Sequence, residues 1–423
     1  MRKLKRTAAE NIGIIETLDY FEKNFFSEKK LKKLKSKKIE EEINFKIPEF
    51  FSLIDNVDIT MNFIKSLFVY RYNMDVNIKL DLSECKTISM CALFLFDYIM
   101  LMIFYERGVL IRSGHKKSKM NYMNYKFSEN NEINKIFLDA GTSGYIPNDT
   151  EEFLEIRKNL SHIPLKLFKV RAGDRGKNTN QLVRYLQKES KIEHISTLDQ
   201  NVQTFINECL GEFGYYLNID GERVLQKIIS EWKTNCNNHL KNFCEFFCTG
   251  SLTYKNNLGV CDLVLVNFGD TINDSIKAIG TTEIGIRTFD RITNKQNYNS
   301  KFTKENGIVL AAIQKKVSRL KTDSNVRGTG FPQIMEFFSK LSDDEENSKM
   351  TIISGNTQIR FAKNEYLRYN NNNGEIYFND EKIPSIAPNI NNVKKIESKF
   401  PGTLISIRFI LKKEHITSNK KEV

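Results

Sequence analysis

The run "ISMCALFLFDYIMLMIFY", residues 88–105, leaves the chain few ways to fold. So long an apolar stretch must be covered on every side, by lipid or by a protein core. Asp97 stands at its middle, where a charge in lipid costs about 2.5–3.5 kcal/mol. The segment before it, "VNIKLDLSECKT", alternates like a strand and ends in a turn. The pair predicts a buried helix packed on a sheet, not a membrane span.

At 423 residues the chain is too long for one ordinary core, so two or more domains are expected. Hydrophobic residues at 40% exclude disorder for most of it. The net charge of +12 is concentrated in places. Residues 29–38 read "KKLKKLKSKK", with no acid among them. This permits contact with nucleic acid, an anionic membrane or an acidic protein. A solvated helix face is the preferred reading, so nucleic acid is permitted but not favoured. The seven cysteines are scattered and form no CxxC or zinc pattern, which points to reduced thiols in a cytoplasmic protein. The N-terminus starts basic but turns acidic before any long apolar run, and makes a poor signal peptide.

Along the chain, residues 1–45 read as a basic helical arm. Residues 46–175 alternate strands and helices with short links, as in a small α/β sandwich. "GVLIRSG", residues 108–114, reads as a short strand, and "SENNEINKIFLDAG" as a helix with a glycine stop. "KVRAGDRGKNTNQLV" reads as a polar loop, and 176–200 as a linker. From about 201 to 423 the order changes. Two long helices precede the strand "CDLVLVNFG". A mobile-looking polar stretch and a helix in "NGIVLAAIQKKVSRL" follow. "KMTIISGN", "TQIRFAKN", "YLRYNNNNGEIYF" with an asparagine–glycine turn, and "GTLISIRFIL" then read as closing strands. Helices on one side and antiparallel strands on the other give a two-layer α+β sandwich.

Three pieces of this second half carry polar groups in a suggestive order. "EWKTNCNNH" places Glu231, Asn235 and His239 four residues apart, on nearly one helix face. "LVLVNFGDTI" ends a β-run at Asn267, with Gly269 and Thr271 behind it. "RGTGFPQIMEFF" sets Arg327, Gly328 and Gly330 before a helix, where backbone N–H groups can face an anion.

In these three pieces the chain resembles the GHKL ATPase superfamily, over about residues 200–412. The Glu231–Asn235–His239 ladder matches the family's first box, ExxxNxxxH. "NFGDTI" is similar to the second box, usually DxGxG, and "RGTGFPQI" to the glycine-rich third. "PGTLISIRFIL" resembles the strand that closes the sheet. The resemblance implies a two-layer Bergerat-type sandwich that binds ATP and Mg²⁺. Asn235 would supply an oxygen to the ion, and Glu231 would hold or deprotonate an attacking water. Gly328 and Gly330 would cradle phosphate. Residues 273–326 would form a lid, with Lys315, Lys316 and Arg319 near phosphate. Asn267 stands where the family has an aspartate that accepts from the adenine amino group, and Thr271 where a glycine is expected. An amide oxygen still accepts that bond, but without charge assistance.

The first half bears a fainter likeness. "VNIKLDLSECKTISMCALFLFDYI" resembles the strand, turn and helix of STAS domains, in which a serine after the turn accepts phosphate. Met90 takes that position and Ser89 is off by one. A histidine kinase would need a phospho-accepting histidine on a long helix, and neither His162 nor His194 sits in one. The resulting expectation is a STAS-like α/β domain followed by a GHKL ATP-binding domain. It would act as an ATP-dependent switch with slow hydrolysis, in signalling or phage defence, through a homodimer or a partner protein. Two alternatives stand beside it: an anti-sigma-type serine/threonine protein kinase, and a regulatory module that binds nucleotide without turnover.

Overall fold

The computed structural model describes residues 15–39, 42–73, 76–112, 123–139, 165–172, 198–211, 214–239, 245–255, 258–276, 283–295, 298–314, 348–361, 386–411 and 413–418, with short pieces at 155–160, 317–338 and 375–383. The chain is mixed α/β and divides into two compact units. One holds residues 1–167 and 175–192; the other holds 168–174 and 193–423.

In the first unit the strands are β1 (Glu42–Lys46), β2 (Phe50–Phe51), β3 (Asn77–Asp81), β4 (Thr87–Ile88) and β5 (Met123–Lys126). β1, β3 and β5 form a parallel sheet in the order β1-β3-β5, and β2 pairs with β4, also in parallel. Parallel neighbours need crossovers. The helices Val57–Ser66 and Phe68–Tyr72 make one, and Met90–Arg112 makes the other. That last helix is the apolar run. Leu93, Phe96, Ile99, Met100, Met102 and Ile103 are all buried, so it is covered on every side. Asp97 is buried with them. No helix among the described residues is long and apolar enough to cross a membrane. The strand expected at 108–114 does not form, because residues 108–112 continue the helix. Gly108 slows a helix by about 1 kcal/mol but does not end one that packing favours.

A helix over 15–25 buries Leu18, Phe21 and Phe25. An ion-pair cluster ties it down. Arg71 donates two hydrogen bonds to Glu106, at 2.8 and 2.9 Å, and one to Asp19 at 3.0 Å. Glu22 lies 2.6 Å from the same guanidinium. Arg71, Glu22 and Glu106 are all buried.

The second unit is built on one five-stranded sheet. Its strands are β6 (Leu165–Ala172), β8 (Glu245–Lys255), β9 (Leu258–Phe268), β10 (Lys349–Phe361) and β11 (Val393–Leu411). Their order is β10-β11-β9-β8-β6. The β8–β9, β9–β11 and β11–β10 pairs are antiparallel. The sequence around 169–172 reads as a loop, but it belongs to the edge strand β6. The two strands expected across "KMTIISGNTQIRF" are one strand, bent at a register break around Gly355. Residues 362–374, where the asparagine–glycine turn was expected, lie outside the described residues, and 375–377 are not in a strand.

One sheet face carries Cys248, Leu252, Cys261, Leu263, Leu265, Ile405, Ile407, Phe409, Met350 and Ile352. These share a core with Val202 and Ile206 of the helix Leu198–Gly211, and with Leu225, Ile228, Ile229 and Trp232 of the helix Ile219–His239. The period of two on the strands and of 3.6 on the helices thus meet in one apolar layer. The short pair β7 (Tyr215–Leu217) and β12 (Ile416–Ser418) closes the unit. Among the described residues, the segment after β9 includes the helices Ile272–Ile276, Glu283–Lys295 and Lys304–Ala312, and Phe331, Ile334, Met335 and Phe338 are helical too.

Candidate functional site

The helix bearing the ladder is fixed at its start. The Asn218 N–H donates to the His415 carbonyl at 2.9 Å, and Gly221 faces the same carbonyl, where a Cβ would lie only 2.6 Å away. His415 follows the end of β11, whose Leu411 pairs with Gly259 near the start of β9. Helix and β9 therefore set out from one end of the sandwich. Twenty-one residues of helix span about 30 Å. Gly259 to Asn267 spans about 27 Å of strand. The last turns of the helix and Asn267 accordingly share the far end.

Both surfaces change character there. On β9, Cys261, Leu263 and Leu265 face the helices, and Asn267 is the next residue on that face. On the helix, seven residues separate Ile228 from position 235, so that position falls within about 20° of the buried stripe, and position 239 does likewise. By sequence and helical phase alone, positions 235 and 239 fall on the line of Leu225, Ile228 and Trp232. Their backbone is helical, and their side chains lie outside the described residues. Glu231 flanks the stripe and is half-buried. Burial holds its carboxyl above the ordinary glutamate range, against the opposing pull of Lys227 one turn earlier.

Asn267 is only 7% exposed, yet its amide makes no hydrogen bond among the described residues. Thr403 of β11 is its register neighbour, and Ser354 of β10 is the neighbour of Thr403. The two hydroxyls lie 2.9 Å apart, and the Ser354 Oγ accepts from the Ile272 N–H at 2.9 Å. A polar row of Asn267, Thr403 and Ser354 therefore crosses three strands at this end. The sequence reading missed Thr403 and Ser354. The only local sign of the first is the glycine before it: Gly402 has φ +144°, and a Cβ there would lie 2.0 Å from the Asn267 carbonyl oxygen.

Gly269 has φ +133°, and its N–H donates to the Pro401 carbonyl at 3.2 Å, which pins the chain as it leaves β9. Thr271 is buried, and its hydroxyl is already engaged. It donates to the Asp274 carboxylate at 2.8 Å and accepts from the Asp274 N–H at 3.1 Å. It caps the short helix Ile272–Ile276. Arg327, Gly328, Gly330, Lys315, Lys316 and Arg319 lie outside the described residues. No group of His, Cys, Asp or Glu suited to a metal occurs among the described residues.

In the first unit, Ser89 opens the apolar helix. Its Oγ accepts from the N–H groups of Leu53 at 3.3 Å and Ala92 at 3.4 Å, and it is buried beside Met90. It serves as a cap. His162 and His194 lie outside the described residues. Comparison with known proteins adds no relative: no protein-family profile, curated protein or solved structure matches the chain significantly.

Proposed function

We propose that the second unit binds ATP with Mg²⁺ at the polar end of its helix–sheet layer, and that the bound nucleotide acts as a conformational switch with slow hydrolysis. The observation that carries this reading is the place of Asn267 on β9, at the polar end of the helix-facing side of the sheet, with its amide free of side-chain hydrogen bonds among the described residues. It stands where the resemblance to GHKL ATPases requires an acceptor for the adenine amino group. The turn from apolar to polar on the facing helix supports it. In this reading the stretch 273–326, which includes the helices Glu283–Lys295 and Lys304–Ala312, serves as the lid.

In this reading Asn267 orients the base, with Thr403 beside it to share the polar edge. Asn235 holds Mg²⁺ through its amide oxygen. A hard oxygen donor fits an ion that takes most of its other ligands from water and phosphate, so a carboxylate cage is not required. The ion would neutralise phosphate charge. Glu231, whose carboxyl burial holds above the ordinary glutamate range, is the base that positions water. The backbone at Gly328 and Gly330 supplies N–H groups to phosphate.

The test is calorimetric titration of the full chain with a non-hydrolysable ATP analogue, with Mg²⁺ and with chelator. Mg²⁺-dependent binding that is lost in Asn235→Ala and weakened in Asn267→Ala supports the reading. Unchanged affinity in both variants overturns it. Phosphate-release measurements then separate a slow hydrolase from a module that only binds.

A further inference from the structure

Independently of the nucleotide reading, we propose that the helix Glu28–Ser36 is a docking ridge for the phosphodiester backbone of a nucleic-acid duplex.

The helix is held rigidly. Ser27 caps its start, accepting from the Lys30 N–H. Asn73 clamps its exit by donating to the Lys37 carbonyl at 3.0 Å and accepting from the Ile39 N–H at 2.9 Å. Lys35 lies over the Tyr72 ring, 5.4 Å from its centroid. The only apolar residues on the helix, Leu31 and Leu34, are its half-buried ones, and it packs on Phe68–Tyr72. By helical phase, Lys29, Lys32 and Lys33 fall on the side opposite those leucines, with Lys30 and Lys35 at the flanks.

Lys29, Lys30, Lys32, Lys33, Lys35, Lys37 and Lys38 are all exposed, and none makes an ion pair with a carboxylate among the described residues. The helix contains one acid, Glu28, at its first position. Like charges three and four residues apart repel by about 0.2–0.5 kcal/mol per pair. The fold thus holds a row of mutually repelling cations in a fixed array without neutralising it. The outward lysines Lys29, Lys32 and Lys33 span about 6 Å of helix, over which a duplex carries about three phosphates.

An anionic membrane offers the same charge, but a helix that inserts presents an apolar face to it, and without one only surface attraction is left, which the vesicle arm of the test separates. Here the leucines are turned inward, so the exposed face offers charge alone. That suits a phosphate backbone, and lysines contacting phosphate read no sequence.

The test uses fluorescence anisotropy of labelled mixed-sequence DNA and RNA duplexes with the full chain, across a salt titration. Binding to either duplex is expected to weaken about 40-fold between about 50 and about 200 mM salt if Lys29, Lys32 and Lys33 each neutralise one phosphate. The triple change Lys29→Gln, Lys32→Gln, Lys33→Gln should weaken binding by about tenfold or more and flatten the salt dependence, while the corresponding triple arginine variant retains both. Circular dichroism checks the fold of each variant. Should the glutamine variant misfold, the wild-type salt slope and the arginine variant still decide. Absence of duplex binding at low salt, equal binding by the glutamine variant, or binding to phosphatidylserine vesicles alone would each overturn the proposal.

Discussion

Gly402 offers a sharp test of how the polar end of the second unit is held together. Its φ of +144° is one that a side chain rarely adopts, and an added Cβ would meet the Asn267 oxygen at 2.0 Å and the Phe268 Cα at 2.9 Å. Both are backbone atoms, so no rotamer change relieves the clash. Backbone strain of this kind costs about 1–3 kcal/mol. Forcing β11 off β9 adds about 1–3 kcal/mol, as overpacking does elsewhere. Gly402→Ala should therefore lose about 2–6 kcal/mol. Gly214 provides the control. It also has positive φ, at +79°, but an added Cβ would meet nothing within 4 Å. Gly214→Ala should lose only the conformational term, about 1–2 kcal/mol. The chain carries a built-in reporter, its single tryptophan, Trp232, which is 3% exposed in the core of the same unit. Urea unfolding followed by its fluorescence, with slopes of about 1–3 kcal/mol per molar, resolves the two variants. If Gly402→Ala is no less stable than Gly214→Ala, the close approach of β11 to β9 is wrong, and the placing of Thr403 beside Asn267 falls with it.

Further outcomes follow from the same geometry. Asn267→Asp should keep or strengthen ATP-analogue binding relative to the GTP analogue, because a carboxylate is the better acceptor; calorimetry with both nucleotides checks this. Glu231 binds its proton more tightly folded than unfolded, so the folded state holds more protons. Its contribution to stability is lost as pH rises from the ordinary glutamate range through the raised value, and Glu231→Gln should flatten that segment of the Trp232-detected stability profile. The same variant should keep nucleotide bound while slowing phosphate release by about 10²–10⁴-fold. Arg71→Leu leaves Glu22 and Glu106 buried without their cation and should destabilise the first unit by about 3–5 kcal/mol, read by thermal unfolding and by proteolysis within 15–25.

Much of this fold could be read locally. The near-continuous apolar runs in "CDLVLVNF" and "GTLISIRFIL" mark β9 and β11 as strands buried on both faces. The apolar run around Asp97 gives its helix for the same reason. What stayed hidden depends on pairing between distant segments. Leu165–Ala172 pairs with β8, and its alternation of Phe168, Val170 and Ala172 with Lys169 and Arg171 is a strand signal that the glycine-bearing run after it obscured. Thr403 joins Asn267 only through the register of β11 on β9. Gly108 looked like a boundary because a glycine's local cost is visible in sequence, whereas the burial that offsets it is not.

The order of the strands bears on how the protein can be cut. β6, Leu165–Ala172, forms the edge of the second sheet beside β8, well before the rest of that sheet in the chain. A fragment beginning at 193 would lack β6 and leave β8, Glu245–Lys255, as a bare sheet edge of 11 residues. Such an edge is a template for another strand. Fragments of that kind should self-associate by strand addition, and supplying residues 165–172 as a peptide should return them to monomers.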